Sequence, residues 1–357
     1  MTAKQHRIRF ACTVALATVT IGSAVWSAAA APPATSTSST STESQAPGAR
    51  ELRNGRFLYA VNQAAATRGS ISVYDIDAEH RLVKTTETVP DVDDVKGVVA
   101  SAGTGRLYVA YRTRSGVGMI YCLNVYDDAV LWNRAIDPDI DRLAIHPDGQ
   151  LLFVPSWEGG SADFINVLDA GTGDVVRKVY FSDRSHDAQF PVSGPLFQET
   201  KAKDGSGEYL YLIDPQSYAV SRIGPYVGVL GPYAVDGMSH YVVNNVTGLW
   251  GMQVAQLKTG RIVTAGLTEH PPGDPGLLHG IGWTPDEREV WQSSSAGYVA
   301  PNKSSDDPTE IFDAHTHKSV GLIGSSEDMI EIDFADGKVS RVGDQYGVGR
   351  VVHTSTN

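Results

Sequence analysis

Four ionisable residues stand at equivalent places in a repeated sequence pattern. Lys96, Asp141 and His186 are separated by steps of 45 residues, and His279 lies two repeats further along. An ammonium, a carboxylate and two imidazoles at one level can bind a polar ligand, hold a divalent metal or move a proton. His186 and His279 are therefore the candidate catalytic bases, and both histidines with Asp141 are the candidate metal ligands.

Three neighbouring residues, Arg142, Tyr233 and Trp283, could complete a pocket around these groups. Arg142 follows Asp141 directly, and Tyr233 opens another copy of the repeat, in which Gly231 holds the equivalent place. The candidate ligand-binding residues are Lys96, Asp141, Arg142, His186, Tyr233 and His279. The alternative is that these polar residues are merely solvated at a wet rim. The pattern requires no cofactor, although a divalent metal is compatible with it.

The elements that must position these residues are short strands joined by tight turns. In "LAIHPDGQLLFVPS", residues 143–156, alternating apolar residues precede the turn His-Pro-Asp-Gly, and an apolar run follows it. The same strand, turn and strand recur four times, in "VVASAGTGRLYVAY", "AQFPVSGPLFQE", "YAVDGMSHYVVNN" and "IGWTPDEREVWQS". Each copy has a second pair of strands beside it, such as "FINVLDAGTGDVVRKVYF". The sequence therefore predicts four-stranded antiparallel repeats of about 45 residues, the length typical of propeller blades.

The number of repeats predicts an all-β propeller, with seven blades preferred and six as the alternative. Residues 51–357 hold nearly seven such lengths, but the stretch 293–308 is polar where a blade needs an apolar strand. The first blade begins at its second strand, so we expect the C-terminal tail to supply the missing one. In a propeller the first strand of each blade lines the central channel, which would place the four ionisable residues near its mouth.

Two segments precede the predicted propeller. Residues 1–31 have a basic start, an apolar middle and a small-residue exit, which is the pattern of a secretory signal peptide. Residues 32–50 are rich in Ser, Thr and Pro and have almost nothing to bury, which predicts a disordered tether. We therefore expect a secreted, extracytoplasmic protein with no membrane span after cleavage.

The charge of the chain limits its partners. The formal net charge is -12, and removing the three cations of the leader would make it -12 - 3 = -15. Nucleic acids and anionic membrane surfaces select basic patches, so neither is expected to bind. A small molecule, a glycan or a protein remains as the partner, and we expect a monomer.

The repeats resemble those of the YVTN or YncE-like β-propellers. "HPDGQLLFVP", "TPDEREVWQS" and "LDAGTGDVV" are similar to that family's repeat endings and turns, and the likeness covers roughly residues 52–350. The literal YVTN tetrapeptide is absent. The resemblance implies an exported seven-bladed propeller but no particular chemistry, because propellers host enzymes and pure binding proteins alike.

Known catalytic sequence motifs do not decide whether the chain is an enzyme or a binding protein. The sequence holds no H-E-x-x-H, G-x-S-x-G, Walker or C-x-x-C motif. Cys122, inside an alternating strand pattern, is predicted to be a core residue rather than a nucleophile. The sequence thus favours a binding scaffold that uses the channel and its loops. The alternative is a lactonase- or lyase-type enzyme with His186 or His279 as general base.

Overall fold

The computed structural model describes one compact unit within Gln45–Asn357. It describes residues 54–352 except 88–89, 157–159, 206, 227–232, 236–240, 246–249, 269–277, 284–289, 295–308, 314–318, 324–325 and 344–349. The predicted leader and tether lie outside these residues. Along the described chain the regular structure is β-strand, apart from a short 3-10 helix at Ile76–Ala78. No helix in this part of the chain is long and apolar enough to cross a membrane.

The strands in the described residues form seven hydrogen-bonded sheets, which we number 1 to 7. Sheet 1 contains β1 (Arg56–Asn62), β2 (Ile71–Asp75) and β3 (Arg81–Thr86), joined by β24 (Ser326–Asp333) and β25 (Lys338–Gly343). Sheet 2 contains β4 (Val92–Ser101), β5 (Arg106–Thr113), β6 (Gly118–Asn124) and β7 (Val130–Ile136). Sheet 3 contains β8 (Ala144–Ile145), β9 (Leu151–Pro155), β10 (Phe164–Asp169) and β11 (Val175–Tyr180).

The later sheets continue in chain order. Sheet 4 contains β12 (Arg184–Gln189), β13 (Leu196–Lys201), β14 (Glu208–Ile213) and β15 (Val220–Tyr226). Sheet 5 contains β16 (Tyr233–Val235), β17 (Tyr241–Asn245), β18 (Trp250–Gln256) and β19 (Arg261–Thr268). Sheet 6 is β20 (Leu278–Trp283) with β21 (Val290–Ser294), and sheet 7 is β22 (Thr309–Asp313) with β23 (Ser319–Ile323) and β26 (Arg350–Val352). Along the chain, the polar stretch 293–308, where the sequence repeat is least clear, runs from the end of sheet 6 to the start of sheet 7.

Local sequence explains why each repeat folds as a meander. The predicted turn forms at His146–Gly149, where Gly149 has a φ of +73° and its N–H donates to the His146 carbonyl at 2.8 Å. A positive φ suits glycine because it has no Cβ to clash with the backbone. Sheets 2 to 5 each hydrogen-bond four consecutive strands in sequence order, and their pairings are antiparallel. The prediction of four-stranded antiparallel repeats is confirmed.

The C-terminal region completes the first sheet, as the sequence predicted. β24 pairs with β1 in antiparallel register from Arg56↔Asp333 to Asn62↔Ser326. The N-terminal strand of the fold is therefore held by a strand that lies some 270 residues later in the chain. This pairing leaves neither β1 nor β24 as an unpaired edge.

The sheets pack face to face in chain order, and this packing makes the fold a β-propeller. One apolar cluster lies between sheets 1 and 2, and others lie between sheets 2 and 3, sheets 3 and 4, and sheets 4 and 5. First strands of neighbouring sheets also touch, since β4 contacts β24 and β8, β8 contacts β12, and β16 contacts β20. Because short strands cannot bury both faces alone, each sheet gains its missing partner surface from its neighbours.

Candidate functional site

The candidate residues lie at irregularities of the first strands. In sheet 2, Val95 pairs with Tyr111 and Gly97 with Ala110, so Lys96 is an extra residue. In sheet 4, Ser185 pairs with Thr200 and Ala188 with Gln198, so that His186 and Asp187 both stand opposite Glu199. A β-bulge of this kind bends the strand and redirects a side chain that would otherwise alternate with its neighbours.

The same irregularity recurs in sheet 6. Leu278 pairs with Ser294 and Gly280 with Ser293, which makes His279 the extra residue of β20. In the backbone register His279 therefore stands at the place equivalent to Lys96 and His186. Its side chain, like that of Tyr233 in β16, lies outside the described residues.

The structure brings Asp141 and His186 together with a third residue, Glu199. His186 Nδ1 lies 2.9 Å from Glu199 Oε1, and His186 Nε2 lies 3.6 Å from Asp141 Oδ2. We call Asp141, His186 and Glu199 the His186 cluster. It joins sheets 3 and 4, because Asp141 precedes β8 and its N–H donates to the Pro155 carbonyl at 3.0 Å.

The carboxylates of the His186 cluster are buried. The Glu199 side chain is 0% exposed, while the His186 side chain is 19% exposed and is the most accessible of the three. Glu199 pairs with Leu210 across the sheet and lies on the same face as Phe197, so its surroundings on that face are apolar. His186 is therefore the group through which this cluster faces the outside.

Three carboxylate oxygens in the His186 cluster accept no hydrogen bond. They are Asp141 Oδ2 and both oxygens of Glu199. The 2.9 Å separation of Nδ1 and Oε1 is an ion-pair distance, but the two groups are not oriented for a hydrogen bond. A buried group without a hydrogen-bond partner costs about 1–3 kcal/mol, more if it is charged, so such groups in a folded protein call for a functional or structural explanation.

Ion pairs surround the cluster on both sides. Arg142 Nη1 lies 3.2 Å from Asp187 Oδ2 and links sheet 3 to sheet 4. Lys96 Nζ lies 2.7 Å from Asp94 Oδ2. Arg112 lies within 3.7 Å of Asp94 and 3.9 Å of Asp139, pairs that link sheet 2 to the loop before sheet 3. Charged groups of three successive sheets therefore form one network.

Burial dominates the electrostatics of Asp141. Desolvation raises its pKa above the ordinary value of 3.8. The positive charges of His186, Lys96 and Arg142 lower that pKa again, whereas the charge of Asp187 raises it. Asp141 is thus a carboxyl group whose ionisation depends on the cations around it.

The structure groups four of the six candidate ligand residues. Lys96, Asp141, Arg142 and His186 lie in the network, and Lys96, Asp141 and Arg142 are buried in it rather than merely solvated. The alternative interpretation was that these residues are only solvated at the rim of the channel. The burial of Lys96, Asp141 and Arg142 argues against it. Within the described part of the chain, no group of three or more His, Cys, Asp or Glu side chains is arranged to hold a metal ion.

Sequence reasoning missed Glu199 and Asp187. Glu199 lies opposite the first-strand bulge of sheet 4, at the place that the buried Ala110 holds in sheet 2, so this repeat has a carboxylate where another has a small apolar residue. Gln198 and Thr200 beside it are also fully buried. The sequence signal that could have revealed Glu199 was a run of polar residues at positions where the repeat otherwise has core residues.

Cys122 is a core residue, as the sequence predicted. It is fully buried in β6, and burial raises its thiol pKa to about 12. Because the thiolate is the reactive form, this environment keeps Cys122 unreactive.

Comparisons with known proteins place the chain in no family. No protein-family model matches the sequence, and no curated protein matches it. Many solved structures match the chain, and three of them serve as examples. A nidogen/laminin complex is similar over 83% of this chain and 97% of that chain, with 10% identity and a TM-score of 0.49. The Cps50 (Swd1) β-propeller domain of Myceliophteria thermophila is similar over 73% and 89%, with 12% identity and a TM-score of 0.47.

The third structure is dihydro-heme d1 dehydrogenase NirN, similar over 84% of this chain and 63% of that chain, with 15% identity and a TM-score of 0.48. At these identities and TM-scores the similarities say nothing about function. The propeller architecture rests on the chain's own sheets and their packing.

Proposed function

We propose that the chain is an exported β-propeller, of the YVTN or YncE-like type, that binds a small molecule, glycan or protein at the His186 cluster. The unpaired buried oxygens of Asp141 and Glu199 beside a partly exposed His186 carry this proposal. A fold that needed only a stable core would place an apolar residue there, as sheet 2 does with the buried Ala110 at the bulge of its first strand. Acceptors that lack donors instead suit a ligand that brings them.

The alternative function is a lactonase- or lyase-type enzyme with His186 as general base. The short distance between His186 and Glu199 favours it, because a carboxylate beside an imidazole can orient the ring. A general base, however, needs one nitrogen directed at the substrate. In the described geometry both ring nitrogens of His186 face carboxylates. We therefore favour binding over catalysis, with His279 as the second candidate base.

The two functions differ in what His186→Ala does. A library of small molecules and glycans is screened against the full chain by thermal shift, and hits are tested for turnover and affinity. For a binding protein, His186→Ala weakens affinity for the hit, and no product forms with either protein. For an enzyme, the native protein turns the hit over and the variant does not.

His146→Ala is the matched control for this substitution. Its imidazole also lies near a carboxylate, with Nδ1 2.7 Å from Asp148 Oδ1, and its side chain is 17% exposed. It lies at a turn outside the His186 cluster. Equal loss of binding in both variants would mean that the effect is not specific to the cluster, and the proposed site would be wrong.

Export is tested separately by the mass of the secreted protein. The proposed cleavage after Ala29, Ala30 or Ala31 gives a mature chain that begins between Ala30 and Pro32. Intact-mass measurement on the protein from the medium or cell envelope decides this, and a species that keeps Met1 there would contradict cleavage.

A further inference from the structure

The His186 cluster has more negative charge than its neighbours neutralise. Arg142 pairs with Asp187, and Lys96 pairs with Asp94, so the nearest cations already have carboxylate partners at 3.2 and 2.7 Å. Within the cluster itself, one imidazole stands between two carboxylates. With both carboxyl groups ionised, even a fully charged imidazolium would leave the three residues with a net charge of about -1.

Three carboxylate oxygens of the cluster lack hydrogen-bond donors. Asp141 Oδ2, Glu199 Oε1 and Glu199 Oε2 are carboxylate oxygens that accept no hydrogen bond. Ionised carboxylates can only accept, so the group that completes them must donate. A ligand that carries both positive charge and N–H donors meets the two requirements at once, and charge-assisted hydrogen bonds are the strong ones.

An organic cation fits this site better than a metal ion. The described residues offer no arrangement of three or more side chains that could hold a metal. A protonated amine needs no fixed coordination geometry, and its three donors rotate freely about the C–N bond. The net charge of -12 over the whole chain also favours the approach of cations.

We infer that the His186 cluster binds a ligand through a protonated amine, whose N–H groups donate to the buried carboxylates of Asp141 and Glu199. A pivot of the partly exposed His186 ring admits the amine to oxygens that lie beneath it, and the ring remains beside the ligand. This inference rests on the proposed binding function and names the chemical class of its ligand.

The test compares amines that differ in their donors. Methylammonium and 1,4-diaminobutane carry charge and N–H groups, whereas tetramethylammonium carries charge without them. Each is titrated into the full chain at constant ionic strength and followed by thermal shift and calorimetry. We expect saturable binding of the primary amines and none of tetramethylammonium.

Substitutions assign that binding to the cluster. Glu199→Gln and Asp141→Asn keep the shape of each side chain and remove its charge. Each should weaken amine binding by about tenfold or more, which corresponds to about 1.4 kcal/mol. Glu331→Gln is the matched control, because Glu331 is also a buried glutamate, in β24 of sheet 1. It should bind amines like the native protein, and circular dichroism checks that all three variants are folded.

Three outcomes would overturn the inference. Equal binding of tetramethylammonium would show that charge alone acts, and unchanged binding by folded Glu199→Gln and Asp141→Asn would place the amine elsewhere. Binding of Zn²⁺ or Mn²⁺ that requires Glu199, with no binding of amines, would make the cluster an inorganic cation site.

The outcomes also separate this inference from the proposed function. If amines fail but a neutral glycan or another small molecule binds and requires His186, the binding function holds and only the ligand class is wrong. If no compound of the library binds in a manner that depends on His186, Asp141 or Glu199, both are wrong.

Discussion

Removing the cation of the Arg142–Asp187 pair should destabilise the fold strongly. The two side chains are 8% and 2% exposed and bridge sheets 3 and 4 at 3.2 Å. Arg142→Met leaves the carboxylate of Asp187 buried without this partner, and breaking a buried ion pair in this way costs about 3–5 kcal/mol. Because a domain is stable by about 5–15 kcal/mol, the variant should lose a large share of its free energy of unfolding.

A second substitution shows whether the loss of stability in Arg142→Met comes from the buried carboxylate of Asp187. Replacing both partners, as Arg142→Met with Asp187→Leu, removes the buried carboxylate together with the guanidinium. Apolar replacement of a whole buried pair is often neutral or stabilising. The double variant should therefore be more stable than Arg142→Met alone, and the double-mutant cycle gives the coupling energy between the two residues.

Urea unfolding followed by tryptophan fluorescence measures these changes, with Lys203→Met as the control. Lys203 pairs with Asp163 at 2.7 Å, but the two side chains are 44% and 39% exposed. An exposed pair of this kind contributes about 0–1 kcal/mol. If Arg142→Met shifts the unfolding midpoint no more than Lys203→Met does, the burial argument for this network is refuted.

Three further experiments test the fold and its electrostatics. Deleting residues 326–357 removes β24, the partner of β1, and should cause aggregation or loss of cooperative melting, whereas a monomer that melts like the parent would contradict closure by the tail. Cys122 should react with a thiol reagent only after unfolding, and rapid labelling of the native protein would disprove its burial. The folded-state pKa of Asp141 lies above its ordinary value of 3.8. Asp141 therefore contributes its full stability at pH values below 3.8, and this contribution is lost as the pH rises through the raised pKa. In Asp141→Asn the melting temperature should therefore fall less steeply over this pH range than in the native protein. An unchanged dependence of melting temperature on pH would contradict this prediction.

The repeat pattern predicted most of the fold because the residue types that define it act on neighbouring residues in the sequence. Alternating apolar residues and tight turns define each pair of strands, and the 45-residue step placed Lys96, Asp141 and His186 at one level. The unmatched first strand even predicted that the tail would close sheet 1, as β24 does. These features depend on neighbours in sequence or on the repetition of a unit, and both can be read from one chain.

The site depended on contacts between sheets, which the sequence does not display. Glu199 belongs to a second strand, where alternation predicts a core position, and only the bulge at His186 and Asp187 brings it beside the imidazole. The burial of Lys96, Asp141 and Arg142 is likewise a property that their sequence positions do not display. The sequence by itself determined the repeating meander and the level of the candidate residues. The tertiary structure alone decided which charges meet and how deeply they are buried, because both depend on how one sheet packs against the next.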